Sequence, residues 1–214
     1  MIRIFLHLTF LFMVGSILGW VMELIFRRIV HKKWVNPGFL KGPYLPIYGI
    51  GLVILYIVAI FELPIDSLVM VYILKTLAIG FLMTAVEYIA GVIFIRRMGI
   101  QLWDYSDRLY NYHGIICPLF SAIWTFLGAI YLLLLHNATI SIVNYYSTSF
   151  IYPFILGIFA GLFTIDCINT FKDFPYHKIT HNKSRKNGYV KKLHTSFEIS
   201  EELLAIYKEE DFKK

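Results

Sequence analysis

The sequence has little charge and almost no cysteine. Charged residues make up 16% of its 214 positions and hydrophobic residues 58%, whereas soluble proteins carry about 25% charged residues. A soluble domain of this composition would have too little polar surface to cover itself. The two cysteines, Cys117 and Cys167, lie inside apolar stretches, so a disulfide-stabilised secreted domain is also excluded. The scarcity of charge indicates an integral membrane protein.

The chain also lacks a nucleotide-hydrolysis motif. It contains no Gly-x-x-x-x-Gly-Lys-Ser/Thr and no glycine loop between a strand and a helix. We therefore expect no enzyme activity, no cofactor and no metal. Two weaker alternatives are a nucleophile and base pair, His113 with Cys117, on one face of a predicted helix, and a metal site formed by His177 and His181 with His194.

Long apolar runs are what the chain has in abundance. Crossing the hydrocarbon core of a bilayer takes roughly 20 apolar residues in a helix. The predicted fold class is all-α, a polytopic membrane bundle of five transmembrane helices within a domain of residues 1–170. The predicted spans are residues 4–26, 44–61, 68–95, 114–135 and 148–168.

Lysine and arginine are distributed unevenly between the two sides of the predicted bundle. Eighteen of the 20 follow the first, third and fifth spans, while Arg3 lies on the other side and Lys75 lies within a span. Because cytoplasmic segments are enriched in Lys and Arg, we expect the N-terminus outside and the C-terminus in the cytoplasm. The basic residues that give the net charge of +6 are thus explained by orientation in the lipid bilayer. No nucleic-acid partner is expected.

Residues 171–214 differ in composition from the apolar spans and are predicted to form a basic cytoplasmic tail. A capping-box pattern at Thr195 and apolar residues at helical spacing predict a short amphipathic helix over residues 195–208. Such a tail would be attracted to anionic lipid headgroups, and the alternative is a docking helix for a partner.

The first four spans resemble one hairpin written twice, over residues 1–61 and 68–135. In each half a glutamate near the inner end of a helix precedes an Arg pair, a Trp, and a Gly-x-x-x-Pro that enters the next helix. The matching residues are Glu23 and Glu87, Trp34 and Trp103, Gly42 and Gly114, and Pro46 and Pro118. This pattern suggests a parallel repeat. Two similar hairpins without common ancestry remain an alternative, because the Glu-to-Trp spacings differ.

Three carboxylates inside the spans are the main functional signal. A charged residue at the bilayer centre costs about 2.5–3.5 kcal/mol on insertion scales, so it usually faces the protein interior. We expect Glu23, Glu87 and Asp166 to share a layer that lines a substrate or ion path. An ion pair with Arg27 is the alternative for Glu23, and Asp166 is close to the membrane interface. Lys75 needs either a partner on another element or an outward reach to water.

Residues 36–49 hold three prolines and three glycines among apolar and aromatic residues. Apolar backbone that is not helical is tolerated at membrane depth only inside protein or beside a water-filled cavity, so an interfacial or re-entrant loop is predicted. An aromatic interfacial belt with turns is the alternative. The expected structural positions are Gly38, Gly42, Pro43, Pro46, Gly49 and, in the second loop, Gly114. The further residues expected on the path are Asn36, Tyr48, Trp103, Asp104 and Asn111.

Two Gly-x-x-x-Gly pairs predict close helix packing in the membrane. They are Gly15 with Gly19 in the first span and Gly157 with Gly161 in the fifth. Small residues on one helix face allow two backbones to approach closely.

A set of short motifs covers residues 10–130. It consists of Gly19-Trp20 with Glu23, the segments 36–43, 46–49 and 103–106, and Asn111, Gly114, Cys117, Phe120-Ser121 and Trp124. Together they resemble the CmpB-like ABC-transporter type IV family of bacterial membrane proteins. The resemblance implies a permease-like part of a transport system in the bacterial plasma membrane. It would move a small substrate or ion through a polar cavity on the cytoplasmic side, with a separate ATPase subunit or another membrane protein as its partner. The alternative is a non-transporting scaffold, sensor or regulatory subunit for an envelope partner.

Overall fold

The computed structural model describes residues 2–32, 34–95 and 102–173. Within these ranges the regular elements are helices, which confirms the predicted all-α class for this part of the chain. They are α1 (Ile2–His31), α2 (Pro46–Ile60), α3 (Leu68–Ile93), α4 (Pro118–Ile130), a π-helical segment (Tyr131–Leu135), α5 (His136–Ser147) and α6 (Ile151–Asp173). The Arg96-Arg97 pair, the tail from residue 174 with its predicted helix 195–208, and the three tail histidines lie outside the described residues.

Four helical stretches are long and apolar enough to cross a membrane: Arg3–Val30, Leu68–Ile93, Pro118–Ser147 and Ile151–Lys172. Helix α2 is a shorter apolar helix of 15 residues, about 22 Å long at 1.5 Å per residue. The helices expose large apolar side chains on their outer faces, such as Phe81 (74%) and Phe154 (70%). Such surfaces suit a lipid environment and not water, so the chain is a membrane protein.

The prediction that the fourth helix ends at Leu135 is wrong. The helix continues through the π-helical segment and α5 as far as Ser147. Tertiary packing explains the extension, because Val143 is 1% exposed and belongs to a core cluster with Phe10 and Leu11 of α1. The polar residues that made this stretch look like a loop are satisfied within the helix; the hydroxyl of Thr139, for example, donates to the carbonyl of Leu135 at 2.9 Å.

Successive passes of the chain run in opposite directions. Leu45, just before α2, donates its backbone N–H to the carbonyl of Ser16, whereas Val53 and Tyr56, later in α2, pack near Phe10 and Leu11. Helices α3 and α4 are arranged in the same way, and α6 runs parallel to α1 with Tyr152 bonded to the carbonyl of Leu6. The loops 34–45 and 102–117 therefore lie at one end of the bundle, which we call the loop end.

Glycines set the closest helix contacts. A methyl group added at Gly19 would overlap the side chain of Tyr48, and one at Gly15 would lie 2.9 Å from the carbonyl oxygen of Tyr48. The predicted close approach at the first Gly-x-x-x-Gly pair is thus confirmed. The prediction for Gly157 and Gly161 is wrong, since no other helix among the described residues comes within 4 Å of a methyl group placed at either one. Helix α6 turns another face to the bundle, with Leu156 in the core.

The two short helices that leave the loop end begin in the same way. Helices α2 and α4 each start with a proline, Pro46 and Pro118, preceded by an extended residue. Proline is suited to the first helical position because its missing N–H would have no helical partner there. Both helices therefore start later than the predicted residues 44 and 114. The shared start agrees with the hairpin repeat, which stays a prediction.

Candidate functional site

Glu87 is a buried carboxylate in the last two turns of α3. Its side chain is 5% exposed. One oxygen accepts a 2.9 Å hydrogen bond from the hydroxyl of Tyr105, and the other has no hydrogen-bond partner among the described residues. Within the same ranges no lysine or arginine forms an ion pair with it. Glu87 is thus held by a neutral donor, although a desolvated carboxylate is costly without a charged partner.

Tyr105 belongs to the second loop (residues 102–117) and is fixed on two sides. Its ring stacks on Phe120 of α4 with centroids 4.2 Å apart, and its backbone N–H donates to the carbonyl of Gly114. Burial, and then the charge of Glu87, raise the pKa of the Tyr105 phenol. Tyr105 therefore remains protonated and able to donate throughout the neutral range.

Glu23 is neutralised by a neighbour on its own helix. Its carboxylate forms a 3.3 Å ion pair with Arg27, one turn further along α1, and its other oxygen accepts a 3.4 Å hydrogen bond from the hydroxyl of Tyr48. The local ion pair that the four-residue spacing suggested is present. Glu23 and Glu87 therefore sit in different electrostatic environments.

Tyr48 and Trp124 connect the two glutamates. Tyr48 interacts electrostatically with both Glu23 and Glu87, and its ring lies 6.5 Å from that of Trp124. The indole N–H of Trp124 is buried near Glu87 but makes no hydrogen bond to any described residue. We call these residues the carboxylate cluster: Glu23, Tyr48, Glu87, Tyr105 and Trp124.

Asp166, in contrast, holds the first loop (residues 34–45) against α6. Its carboxylate accepts hydrogen bonds from the backbone N–H of Gly42 at 2.8 Å and from the hydroxyl of Tyr44 at 2.7 Å. Thr170, one turn along α6, donates to it at 3.1 Å. The donors that surround Asp166 belong to this loop and to its own helix, and none of them is a member of the carboxylate cluster. Burial, and then the Asp166 carboxylate, raise the pKa of Tyr44.

Asn36 organises the same loop from inside. Its side-chain oxygen accepts hydrogen bonds from the indole of Trp20 at 2.8 Å and from the backbone N–H of Gly38 at 3.1 Å. Its amide donates to the carbonyl of Leu40 at 3.1 Å. Asn36 thus joins the first loop to α1 and also fixes the loop's own backbone, which is a structural role.

Gly42 has a steric role in the first loop. A methyl group there would overlap the ring of Tyr44, which is itself bonded to Asp166. Pro43 is exposed beside it. The dense glycine and proline pattern of this loop therefore fixes backbone shape.

The second loop has its own internal bonds. Trp103 donates from its indole to the carbonyl of Ile115 at 2.9 Å, and Asp104 accepts from the backbone N–H of Ser106 at 2.9 Å. Asn111 accepts from the backbone N–H of Gly114 at 3.1 Å, and the positive φ of 68° at Gly114 suits a residue without a side chain.

Two further predictions concerned single side chains. Lys75 finds its partner on another element, where its ammonium donates to the carbonyl of Ala59 in the last turn of α2 at 2.6 Å; a cation is favourable at a helix C-terminus. The pairing of His113 with Cys117 on one helical face is wrong, because α4 begins only at Pro118. The described residues hold no group of three or more potential metal ligands.

Sequence reasoning missed Tyr105, Tyr44 and Trp124. Tyrosine and tryptophan are common in membrane proteins at the interface, so nothing in the composition distinguished these three from other aromatic residues. The one available signal was position, since each lies within the motif-rich segments 36–49 or 103–124.

The comparison with known families agrees with these segments. The family described as "Putative ABC-transporter type IV" matches residues 10–171, which include both loops, the carboxylate cluster and Asp166. The chain belongs to this family. No match was found among curated proteins or among solved structures.

Proposed function

We propose that this chain is the membrane-spanning, permease-like subunit of a transport system. The carboxylate cluster would form part of the path of a small substrate or ion. Membership of the transporter-type family supports the general class, and the single observation that carries the proposed path is Glu87. It is a buried carboxylate in an apolar helix, without a lysine or arginine partner in the described ranges. Such residues are expensive to retain unless they have a function.

The proposed arrangement in the bilayer has five passes. Helix α2, although short, would complete the crossing together with the apolar loop that precedes it. The loop end carries Arg27, Arg28 and Lys172, whereas residues 61–67 at the opposite end contain no Lys or Arg. By the positive-inside rule the loop end would face the cytoplasm of a bacterial cell and the N-terminus would be outside. The carboxylate cluster would then open towards the cytoplasm.

A transporter of this kind needs an energy source that the chain does not encode. A separate ATPase subunit that binds at the loop end is the partner that the family description favours. The membrane subunit itself would catalyse no reaction and bind no cofactor.

A non-transporting scaffold or regulator is the second candidate. It is favoured by the neutralisation of Glu23 by Arg27 and by the loop contacts of Asp166, which remove two of the three carboxylates from a hydrated path. A shallow depression at the loop end also has an apolar lining that includes neither glutamate. Its walls are formed by Gly91, Phe94, Ile95, Leu102, Trp103 and Ile115.

Purification from native membranes in mild detergent separates the two candidates. We expect an ATPase subunit to co-purify, and we expect its ATP hydrolysis to fall in a Glu87→Gln variant that remains folded. Recovery of an envelope enzyme without an ATPase would favour the scaffold. An ATPase whose activity is unchanged by Glu87→Gln would remove Glu87 from the transport path.

A further inference from the structure

The three carboxyl groups inside the predicted spans differ in how many hydrogen bonds they accept from the described residues. Asp166 accepts four, two of them from backbone N–H groups. Glu23 accepts one from a guanidinium and one from a phenol. Glu87 accepts a single hydrogen bond, from the hydroxyl of Tyr105. Glu87 is therefore the carboxyl group with the least support for a negative charge.

This pattern suits a neutral carboxylic acid better than a carboxylate. In a neutral acid one oxygen accepts hydrogen bonds, as Oε1 of Glu87 does from Tyr105, and the other oxygen carries a hydrogen. The other oxygen of Glu87, Oε2, is buried and accepts no hydrogen bond from a described residue. The side chain is 5% exposed, so bulk water contributes little to its solvation. A buried carboxylate without sufficient donors tends to take up a proton.

The titratable groups around Glu87 and its donor are two phenols, a thiol and an ion pair. They are Tyr105 and Cys117 of the second loop, Tyr48 of α2, and Glu23 with Arg27 of α1. The guanidinium of Arg27 is already paired with the Glu23 carboxylate. None of these described groups places an unpaired positive charge beside Glu87.

A proton suits the site better than a metal ion does. Hard metal ions such as Mg²⁺ and Ca²⁺ take about six or more oxygen ligands. The polar groups described beside the Glu87 carboxyl are instead hydrogen-bond donors, namely the hydroxyl of Tyr105 and the indole N–H of Trp124. A proton requires one lone pair of Oε2 and no further ligands.

We propose that Glu87 is a proton-binding site. In the arrangement described here its Oε2 carries a proton near neutral pH, and this proton is released when water reaches the carboxylate cluster from the loop end. The O–H bond then breaks, its electron pair stays on the carboxylate, and the proton passes to a water molecule. That the released proton is the ion carried along the path rests on the proposed function. The protonated state of Glu87 does not.

Infrared difference spectroscopy of the full-length protein in liposomes tests the proposal. The C=O stretch of a protonated carboxyl group is well separated from the bands of a carboxylate. We expect such a band near neutral pH, where an ordinary glutamate with a pKa of about 4.3 is charged. The band should disappear in Glu87→Gln and remain in Glu23→Gln, the matched control, whose carboxylate is paired with a guanidinium. In deuterated buffer it should shift to lower wavenumber as the proton exchanges with water.

Tyr105→Phe assigns the band without relying on the folding of Glu87→Gln. The substitution removes the hydroxyl that donates to Oε1. Because a carbonyl that accepts no hydrogen bond vibrates at higher wavenumber, the band should move upwards in this variant.

Three results would overturn the proposal. A spectrum without a protonated carboxyl band near neutral pH would show that Glu87 is charged, as an ion pair with Arg96 or Arg97, outside the described residues, would make it. A band that Glu87→Gln retains, or that Tyr105→Phe leaves unshifted, would belong to another carboxyl group. A band that does not shift in deuterated buffer would show a proton that is never released. None of these results depends on transport, so the ATPase assay tests the proposed function separately.

Discussion

Two glutamates at corresponding places in the two hairpins are stabilised in different ways. Glu23 has a guanidinium one turn away, whereas the described residues around Glu87 supply the phenol of Tyr105 and a nearby indole but no ion pair. An ion pair keeps a carboxylate charged, but neutral donors leave it able to exchange a proton or bind a cation. Within the proposed path, we therefore expect Glu87 to be the carboxylate that a substrate or ion contacts, and Glu23 to contribute mainly to stability.

Replacement of Glu87 by glutamine should leave the fold intact. A glutamine keeps the oxygen that accepts from Tyr105, and no cation of the described residues is paired with Glu87, so the free energy of unfolding should change by about 1 kcal/mol or less. A structural ion pair would instead lose about 3–5 kcal/mol when one partner is removed. Thermal unfolding in detergent distinguishes these values, and a large loss of stability would contradict the functional assignment.

Tyr105→Phe should have the larger structural effect. The substitution removes the hydroxyl that donates to Glu87 but preserves the stacking on Phe120, and a buried carboxylate that loses a donor costs about 1–3 kcal/mol. We expect a lower melting temperature than in the parent. Tyr110→Phe, which changes an exposed tyrosine of the same loop, is the control and should melt like the parent. Equal melting of all three proteins would mean that the hydroxyl contributes nothing to Glu87.

Sequence spacing predicted only the local part of these contacts. The pairing of Glu23 with Arg27 follows from a four-residue separation on one helix. The bond from Gly42 to Asp166 joins positions 124 apart, and the tyrosine donor to Glu87 lies on a loop whose path no periodic pattern describes. Contacts of this kind depend on how the helices pack.

The first loop determines where α2 begins. Gly42→Leu should reduce the yield of folded protein, because the new side chain would collide with Tyr44 and disturb the backbone N–H that donates to Asp166. Gly157→Leu is the matched control, as open space surrounds that glycine. The yield and melting temperature of both variants can be compared after purification in detergent. Equal yields, or normal stability of Gly42→Leu with loss of function, would make the loop a functional site.

Helix existence was predictable, but helix ends were not. Each long helix was identified from an apolar run long enough to cross the hydrocarbon core, because a helix in contact with lipid needs apolar side chains along that length. The predicted end of the fourth helix was wrong because the helix extends far enough for Val143 to pack on α1. The π-helical segment at Tyr131–Leu135 has no sequence signal that we recognise.

For the whole molecule, the distribution of Lys and Arg predicts which residues face each side. Cysteines at Ser67 and Ser149, which lie between helices at the end opposite the loops, should react with a membrane-impermeant reagent in intact cells. A cysteine at Leu109 should react only after the membrane is opened. Labelling of Leu109→Cys in intact cells would reverse the proposed orientation.

Accessibility of Glu87 tests the central claim most directly, namely that a hydrated path reaches the carboxylate cluster. Glu87→Cys is made in a cysteine-free background and exposed, in inverted vesicles, to a small charged thiosulfonate reagent. Ile79→Cys, fully buried on the same helix, reports on a dry position, and Lys172→Cys reports on full access. We predict modification of Glu87→Cys but not of Ile79→Cys. If Glu87→Cys is not modified while Lys172→Cys is, no hydrated path reaches Glu87. That result would contradict the proposed path and favour a non-transporting bundle.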